Sequence, residues 1–242
     1  MMTLVTPAFH ADLSPTLGDR HASLVSVIVH NLRQQILDGT RHQGDRLVEG
    51  KLSAELGVSR VPVREALRQL ASEGLVDIEP RRGASVTRIS DDIAVELIEV
   101  RATLEGLNAK LAAQRRDPDK LPQLYALIAT GDRAAQAEDV DALAAINARA
   151  HELIATVAEN RVLQDLMRSL RDRTALLFAP YRKLRARPLW IEHAQILQAV
   201  IDGDADLAGL LATRHVYSAA RTYLDARGAS HGDHAGHAAT GS

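Results

Sequence analysis

The sequence predicts a mostly α-helical protein, in which an N-terminal winged helix-turn-helix is followed by an all-helical bundle of about six helices. Hydrophobic residues make up 46% of the chain but aromatic residues only 3%, so the cores must be built from Leu, Val, Ile and Ala. A composition rich in Ala and Leu favours helices. Residues 47–85 combine two short helical patterns with a hairpin pattern. Beyond Asp91 the periodicity is helical throughout.

Composition excludes several classes of protein. No cysteine occurs among the 242 residues, which rules out disulfides, thiolate metal sites and cysteine nucleophiles. No apolar run approaches the ~20 residues of a membrane-spanning helix, and the N-terminus lacks the layout of a secretory signal. We therefore expect a soluble cytoplasmic protein with no membrane partner. The net charge of −2 argues against nonspecific binding of nucleic acid.

The first elements are predicted from turn residues and periodicity. Residues 1–20 carry two prolines and no periodic stripe, and we expect them to form a flexible arm. Ser23–Asp38 is predicted as a helix that ends before Gly39, and residues 40–46 as a loop. The apolar face of this helix is formed by Leu24, Ile28, Leu32 and Ile36. We expect a first domain over residues 21–88.

Two short helices that meet at Gly57 form the centre of this domain. The first is predicted over Val48–Leu56 and the second over Ser59–Gly74, where the side chain of Ser59 can cap the helix. Four residues of the second helix recur at helical spacing and predict a core face: Val63, Ala66, Leu67 and Leu70. Three arginines recur every fourth residue on another face: Arg60, Arg64 and Arg68.

The arginine row is typical of a recognition helix in a DNA major groove, because guanidinium groups reach guanine edges as well as phosphates. The alternative is a row of arginines that only solvates an exposed helix face. A hairpin after Gly74 favours the first interpretation. Its strands are predicted over Leu75–Glu79 and Ala84–Thr87. Its tip carries Arg81, Arg82 and Gly83, which can approach a phosphate backbone or the minor groove closely.

The segment GVSRVPVREALRQLASEGLV, followed by PRRGASV, resembles the N-terminal DNA-binding domain of the GntR family of bacterial transcription regulators. The resemblance extends from about Ser23 to Arg88. It implies that six residues approach the operator: Ser59, Arg60, Val61, Arg64, Arg82 and Gly83. Arg68 joins this set from the arginine row. Two departures bear on which operator is read: Val61 stands where threonine is frequent, and Gly50 stands where some relatives carry arginine.

The second half of the chain is predicted to form a helical bundle. No repeat period emerges, which favours a bundle over a solenoid. The predicted helices are Asp91–Arg115, Asp119–Ala137, Asp139–Glu159, Arg161–Phe178, Pro188–Asp202 and Asp204–Arg227. Ser90 is expected to cap the first of them. We expect the second domain over residues 89–227 and a disordered tail over residues 228–242, which are rich in Gly, Ala and His.

Four polar residues of the bundle fall on apolar stripes where leucine is expected: Asn147, His151, His193 and His215. Each histidine alone is explained by a hydrogen-bonded core position. Together they lie on three predicted helices, and a shared metal would satisfy their otherwise costly buried nitrogens. Three imidazoles and one amide oxygen suit a divalent metal, either zinc, nickel or manganese.

These residues carry a second resemblance. The segments RATLEG, NARAH, WIEHAQIL and ATRH resemble the all-helical FCD effector domain of the FadR subgroup of GntR regulators. The resemblance implies that Asn147, His151, His193 and His215 hold a divalent metal and that a small carboxylate effector completes its coordination. Asn147 replaces the usual aspartate. The resemblance also places Arg101 near the effector, although an ion pair with Glu105 is an alternative. Arg149 and Arg173 are further candidates for the effector pocket.

The sequence thus predicts a homodimeric transcription regulator, a repressor that binds a pseudo-palindromic operator in double-stranded DNA. A small organic acid would bind the bundle and change the relative placement of the two DNA-binding domains. Two alternatives stay open: a regulator that responds directly to a divalent metal, and a metal-dependent enzyme fused to a DNA-binding module. We expect no enzymatic activity, because no carboxylate beside the predicted ligands is marked as a general base.

Overall fold

The computed structural model describes residues 17–181 and 184–235, and in this part of the chain it contains nine α-helices and three β-strands. The N-terminal elements are α1 (Leu17–Leu37), β1 (Arg46–Leu47), α2 (Glu49–Leu56), α3 (Arg60–Ser72), β2 (Val76–Glu79) and β3 (Gly83–Val86). The bundle is formed by α4 (Asp91–Arg115), α5 (Leu121–Gln136), α6 (Val140–Ala158), α7 (Arg161–Phe178), α8 (Ala186–Asp202) and α9 (Ala205–Ala235). A 3₁₀ turn at Ala179–Tyr181 follows α7. The predicted fold class is confirmed.

The helix-turn-helix forms because two glycines end its helices. Gly57 has a φ of 65° and ends α2, and Gly74 has a φ of 78° and follows Glu73, the C-cap of α3. The predicted core face of α3 is buried, and Pro62 is buried with it in the first turn. One expectation was wrong: Ser59 occupies the N-cap position, but its side chain makes no capping hydrogen bond.

The wing is a three-stranded antiparallel sheet in the order β1-β3-β2. In the predicted hairpin, Val76 pairs with Val86 and Glu79 with Gly83. The sequence did not predict β1, whose two residues pair with Ser85 and Ala84. A two-residue strand is too short to produce an alternating pattern, so only the partner strand reveals it.

The ends of the predicted segments need three corrections. Ser90 makes no side-chain cap on α4, although Asp91 and Asp92 lie in its first turn, where the helix dipole favours acids. Residues 17–20, predicted as part of the arm, begin α1, and residues 1–16 lie outside the described residues. Helix α9 continues to Ala235, so residues 228–235 of the predicted disordered tail are helical, and residues 236–242 lie outside the described residues.

Two apolar clusters form the core. The first lies under α1, α3 and the wing, and it continues into the bundle through residues of α4, α7 and α9 such as Ile98, Leu177 and Val216. The second fills the bundle around Trp190. The first cluster therefore crosses the predicted boundary near residue 88, and the two domains share apolar packing. The predicted domain bounds stay a prediction.

Close helix packing in the bundle depends on two glycines. A Cβ on Gly106 of α4 would lie 2.3 Å from Oγ1 of Thr213 on α9, and one on Gly209 would lie 3.3 Å from the carbonyl of Gly106. The backbones of α4 and α9 can approach only because these side chains are absent. Among the described helices, none combines the length and apolar character needed to span a bilayer.

Candidate DNA-binding surface and metal centre

Helix α3 separates its core face from its arginine row, as predicted. Ser59, Arg60, Val61, Arg64 and Arg68 are all exposed, whereas Val63 and Leu70 on the opposite face are fully buried. Val61 is an apolar side chain with 58% of its surface exposed, between two arginines of the predicted contact face. An exposed valine in this position can contact a thymine methyl group.

Two arginines of the row lie against helix α2. Nε and Nη2 of Arg64 donate to the two carboxylate oxygens of Glu49 at 2.9 and 2.7 Å. Hydrogen bonding to Arg64 lowers the pKa of Glu49 and raises that of Arg64, so both groups are charged at neutral pH. The guanidinium of Arg60 lies over Gly50, with Nη2 3.5 Å from the position of a Cβ on that glycine.

The wing tip carries the other two predicted DNA contacts. Arg82 and Gly83 are exposed, and Nη1 of Arg82 lies 3.2 Å from Oε2 of Glu79. Arg81, the other arginine of the tip, which the family resemblance does not include among the contacts, has a φ of 67° and is exposed beside them. A non-glycine residue in the left-handed region is uncommon and marks the tight turn that projects both arginines.

Three helices of the bundle bring His151, His193 and His215 together. One ligand atom from each lies within 4.8 Å of the others. Nε2 of His151 and Nε2 of His193 are 3.1 Å apart. Two nitrogens that bind one tetrahedral zinc at ~2.05 Å would be about 3.3 Å apart, so this spacing fits a shared metal.

Hydrogen bonds determine which nitrogen of each ring faces the cluster. Nδ1 of His193 lies 3.0 Å from Oδ1 of Asn147, and the amide nitrogen of Asn147 donates to the carbonyl of Ala186, which fixes the amide orientation. Nδ1 of His151 lies 3.2 Å from Oε1 of Glu105. Both Nδ1 atoms therefore carry the proton, and the two Nε2 atoms face each other as bare acceptors. Two lone pairs at this distance repel each other, and a shared cation between them would relieve the repulsion.

A proton is a poor candidate for that cation at neutral pH. Burial lowers the pKa of His151 to about 4 and lowers that of His193 well below its ordinary value, although Glu105 partly offsets the effect. The third ring has the same arrangement, because Nδ1 of His215 lies 2.7 Å from Oε2 of Glu192. Glu192 also accepts a hydrogen bond from the hydroxyl of Ser218. Oxygen acceptors behind each ring are the usual second shell of metal-binding histidines.

Asn147 occupies a different position from the predicted one. Its oxygen faces Nδ1 of His193 and not the Nε2 atom that His193 turns toward His151. In this conformation Asn147 orients a histidine, and the predicted role as a fourth ligand would need the side chain to turn. The described donor set for a metal is therefore three imidazoles.

A buried ionic cluster lies beside the histidines. Arg171 donates to both oxygens of Glu105 at 2.9 Å, and Arg101 lies 3.6 Å from Glu105 and donates to Oγ1 of Thr174 at 2.7 Å. Burial alone would raise the pKa of Glu105, but His151 and Arg171 hold it well below the ordinary value. Two guanidinium groups thus face one carboxylate, and the excess positive charge suits an anion.

The other predicted effector residues lie elsewhere. Arg149 is exposed and pairs with Glu152 on the outer face of α6. Arg173 packs against Gly74 at the end of α3, with its Cδ 3.1 Å from the position of a Cβ there. Sequence reasoning missed Arg171 and Thr174, and it treated Glu105 only as a partner of Arg101. Arg171 lies four residues after the buried Met167 and three before the buried Thr174, a helical spacing that could have revealed its inward position.

Helix α7 contacts both candidate sites. Arg171 and Thr174 face the ionic cluster, and between them Asp172 lies 3.6 Å from Nε of Arg33 on α1. Arg33 in turn pairs with Glu73, the C-cap residue of α3. Ser169 of α7 donates to the backbone carbonyl of Glu73 at 3.4 Å. Four residues of one helix, all between positions 169 and 174, thus join the histidine site to the end of the predicted recognition helix.

Comparisons with known proteins agree with this architecture. Residues 24–86 match the bacterial regulatory proteins of the gntR family, and residues 96–218 match the FCD domain. The sequence is 31% identical over 145 residues to an uncharacterized HTH-type transcriptional regulator, YdhC, of Bacillus subtilis. That alignment covers 59% of this chain and 64% of the relative, which is less than two thirds of its length.

Two further similarities extend over most of the chain. A probable D-xylose utilization operon transcriptional repressor of Paenarthrobacter nicotinovorans is 28% identical over 199 residues, which are 82% of this chain and 86% of that protein. The solved structure of E. coli McbR/YncC superposes with a TM-score of 0.72 at 21% identity, over 84% of this chain and 98% of that one. The latter similarity concerns the fold alone.

Proposed function

We propose, on the premise that this chain belongs to the GntR family of bacterial regulatory proteins and carries an FCD domain, that it is a transcriptional repressor controlled by a small carboxylate at a metal site. The chain is a transcriptional regulator by its family, and its relatives are regulators and not enzymes. Three statements go beyond the family and are proposed: that the protein represses transcription, that it binds a metal, and that a small effector controls it. The relative named as a probable repressor supports the first of them.

DNA binding would use the arginine row of α3 and the wing tip. Two observations support this use: the opposite face of α3 is buried, and four arginines of the first domain are exposed, namely Arg60, Arg64, Arg68 and Arg82. Arg64, oriented by Glu49, would read a base edge, since a guanidinium fork matches the acceptors of guanine. The wing arginines would contact phosphates or the minor groove.

The metal would be held by Nε2 of His151, His193 and His215. The single observation that carries this proposal is the 3.1 Å approach of two Nε2 atoms in rings whose Nδ1 atoms face oxygen acceptors, so that a shared cation would bind both lone pairs. Zinc, nickel and manganese all accept such imidazole donors. The bound metal would supply a Lewis-acidic position for one oxygen of the effector. Arg101 would pair with the effector carboxylate, because the residue is buried and its Nε makes no hydrogen bond, only a 3.6 Å ion pair with Glu105.

A second copy of the chain would pack against α4 and α9. Each helix carries exposed apolar residues seven positions apart, a spacing typical of helix–helix seams. They are Ile93, Val100 and Leu107 on α4, and Leu210, Tyr217 and Leu224 on α9. A homodimer with two wings and two recognition helices would read a pseudo-palindromic operator.

Selection from a random double-stranded DNA library, followed by titration of the enriched operator, tests the proposal. We expect enrichment of a pseudo-palindrome, and a change of operator affinity when zinc and a carboxylate are added together. A change with zinc alone would favour the direct metal sensor. Failure to enrich any sequence would contradict the proposal as a whole.

A further inference from the structure

Asn108 is a buried polar residue to which the proposed function assigns no role. Only 1% of its surface is exposed, yet neither its side-chain oxygen nor its side-chain nitrogen has a hydrogen-bond partner. An unpaired buried amide is costly, because the lost hydrogen bonds to water are not replaced. A buried side chain in this state requires an explanation.

The position of Asn108 relates it to the histidine cluster. Arg101, Glu105 and Asn108 are spaced four and three residues apart on α4, so they share one face, and all three are buried. Glu105 contacts His151, and Asn108 lies one helical turn further along, a rise of about 4.5 Å. The residues that follow on this helix, Ala109 and Ala112, are small and apolar.

Two buried polar groups that make no hydrogen bond therefore flank Glu105 on one helix face. Nε of Arg101 lies toward the N-terminus of α4, and the amide of Asn108 lies toward its C-terminus. A guanidinium is matched by a carboxylate. An amide with both donor and acceptor free is matched by a group that also donates and accepts, for which a hydroxyl is the smallest choice.

We propose that Asn108 forms a subsite for the non-carboxylate end of the effector and that it selects acids that carry a hydroxyl group. This inference rests on the proposed function, because it takes the ligand of the histidine site to be a carboxylate. It adds a specificity-determining residue: the metal and Arg101 would bind any small acid, whereas Asn108 would distinguish hydroxy acids from their deoxy analogues.

Titration of the zinc-loaded full-length protein with matched acids tests the subsite. The pairs are malate with succinate, lactate with propionate, and 3-hydroxybutyrate with butyrate. Binding is measured by calorimetry and by thermal shift. We expect at least one hydroxy acid to bind about tenfold more tightly than its deoxy partner, as one additional hydrogen bond predicts. In Asn108→Ala that ratio should fall to about one, while the affinity for the deoxy acid is kept.

A control and a ligand-free measurement accompany the titration. Thr213→Val removes a hydroxyl that already has a partner, the carbonyl of Ala102 at 3.3 Å, and should keep the discrimination. Without ligand, Asn108→Leu should melt no lower than the unaltered protein, because it removes an unpaired amide and keeps the side-chain volume. A lower melting temperature would overturn the proposal, since the amide would then already be hydrogen-bonded.

The remaining outcomes separate this inference from the proposed function. If acids bind but no pair is discriminated, or if Asn108→Ala keeps the discrimination, the subsite is refuted while the metal-bound carboxylate stands. If zinc binds and no acid binds in any pair, both the subsite and the carboxylate effector are refuted.

Discussion

Arg64 and Glu49 form a two-pronged ion pair across the turn of the helix-turn-helix, with donor–acceptor distances of 2.9 and 2.7 Å. The pair joins two helices and orients a guanidinium on the exposed face of α3. Because the pair is exposed, its effect on stability is small. Its more important consequence is preorganisation, since an oriented side chain loses less conformational freedom on binding.

Arg64→Ala should weaken operator binding about 5- to 150-fold, the range for one bidentate base contact. Fluorescence anisotropy with the selected operator measures the change, and the melting temperature should stay the same. Arg161→Ala, which removes an exposed arginine of the bundle, serves as the control. Equal operator affinities for both variants and the unaltered protein would exclude Arg64 from the interface.

Removal of the metal should destabilise the bundle. A ligand at one hundred times its Kd stabilises the folded state by about 2.7 kcal/mol, so chelation should lower the melting temperature of zinc-loaded protein. His193→Ala should abolish this difference and the bound zinc measured by elemental analysis. His42→Ala, at an exposed loop position, should retain both. Unchanged zinc content in His193→Ala would refute the three-histidine site.

Asp172→Asn should reduce the communication between the two sites. The change keeps the shape of the side chain but removes its charge from the pair with Arg33, which holds Glu73 at the end of α3. An effector typically alters affinity through a coupling of 1–3 kcal/mol. Acid and zinc together should therefore change the operator Kd less in this variant than in the unaltered protein. We expect the logarithm of the ratio of the two Kd values, with and without acid and zinc, to fall by about half or more.

The matched control for this coupling is Asp165→Asn, which alters an exposed acid on the same helix. This variant should keep the full ratio of operator Kd values with and without acid and zinc. If Asp172→Asn also keeps it, communication does not pass through α7.

Metal-free protein should lose stability as the pH falls from 6.5 toward 4. His151 has a pKa of about 4 when folded and an ordinary value of 6.5. In this window the unfolded chain binds a proton that the folded protein does not, so acid favours unfolding, by up to about 1.4 kcal/mol per pH unit for one histidine. Chemical denaturation in the presence of a chelator measures the slope.

His151→Gln tests the origin of that slope, because glutamine does not titrate. The variant should show a shallower fall in the free energy of unfolding between pH 6.5 and 4. A slope identical to that of the unaltered protein would mean that His151 is already protonated, or that it is exposed, in the folded state.

Leu210→Glu should dissociate the proposed dimer. The residue is 55% exposed on α9, and a charge buried between two apolar helices is costly. Sedimentation equilibrium should detect a shift toward the mass of one chain, 26.2 kDa. Leu166→Glu changes a leucine on α7 that is equally exposed at 57% and should leave the mass unchanged. Dissociation by both variants, or by neither, would argue against the α4–α9 face.

The helices could be predicted because their signals are local. Helices α4 and α7 begin and end where the periodicity predicted, at Asp91 and Arg115 and at Arg161 and Phe178. Gly57, Pro62 and Gly74 likewise act on the backbone of their own segment. Capping was predicted less well, because Ser59 and Ser90 have the right position but no capping hydrogen bond. A residue type indicates that a cap is possible, whereas the rotamer decides whether it forms.

The site was only partly predictable, since periodicity gives the inward face of a helix but not its neighbour. The convergence of His151, His193 and His215 follows from three inward faces and was predicted. The role of Asn147 behind His193 and the outward position of Arg149 were not, because both depend on the rotation and crossing of helices. The pairing of Arg171 with Glu105 joins residues 66 positions apart and has no local signal.

The sequence by itself determined the order of the helices, the exposed arginine row of α3 and the identity of the three histidines, because each depends on contacts within one segment or on one helix face. Only the tertiary structure decided that two Nε2 atoms meet at 3.1 Å and that α7 lies between the histidine site and the end of α3. Distances of this kind are set by how several helices pack together, and that packing minimises the free energy of the whole chain.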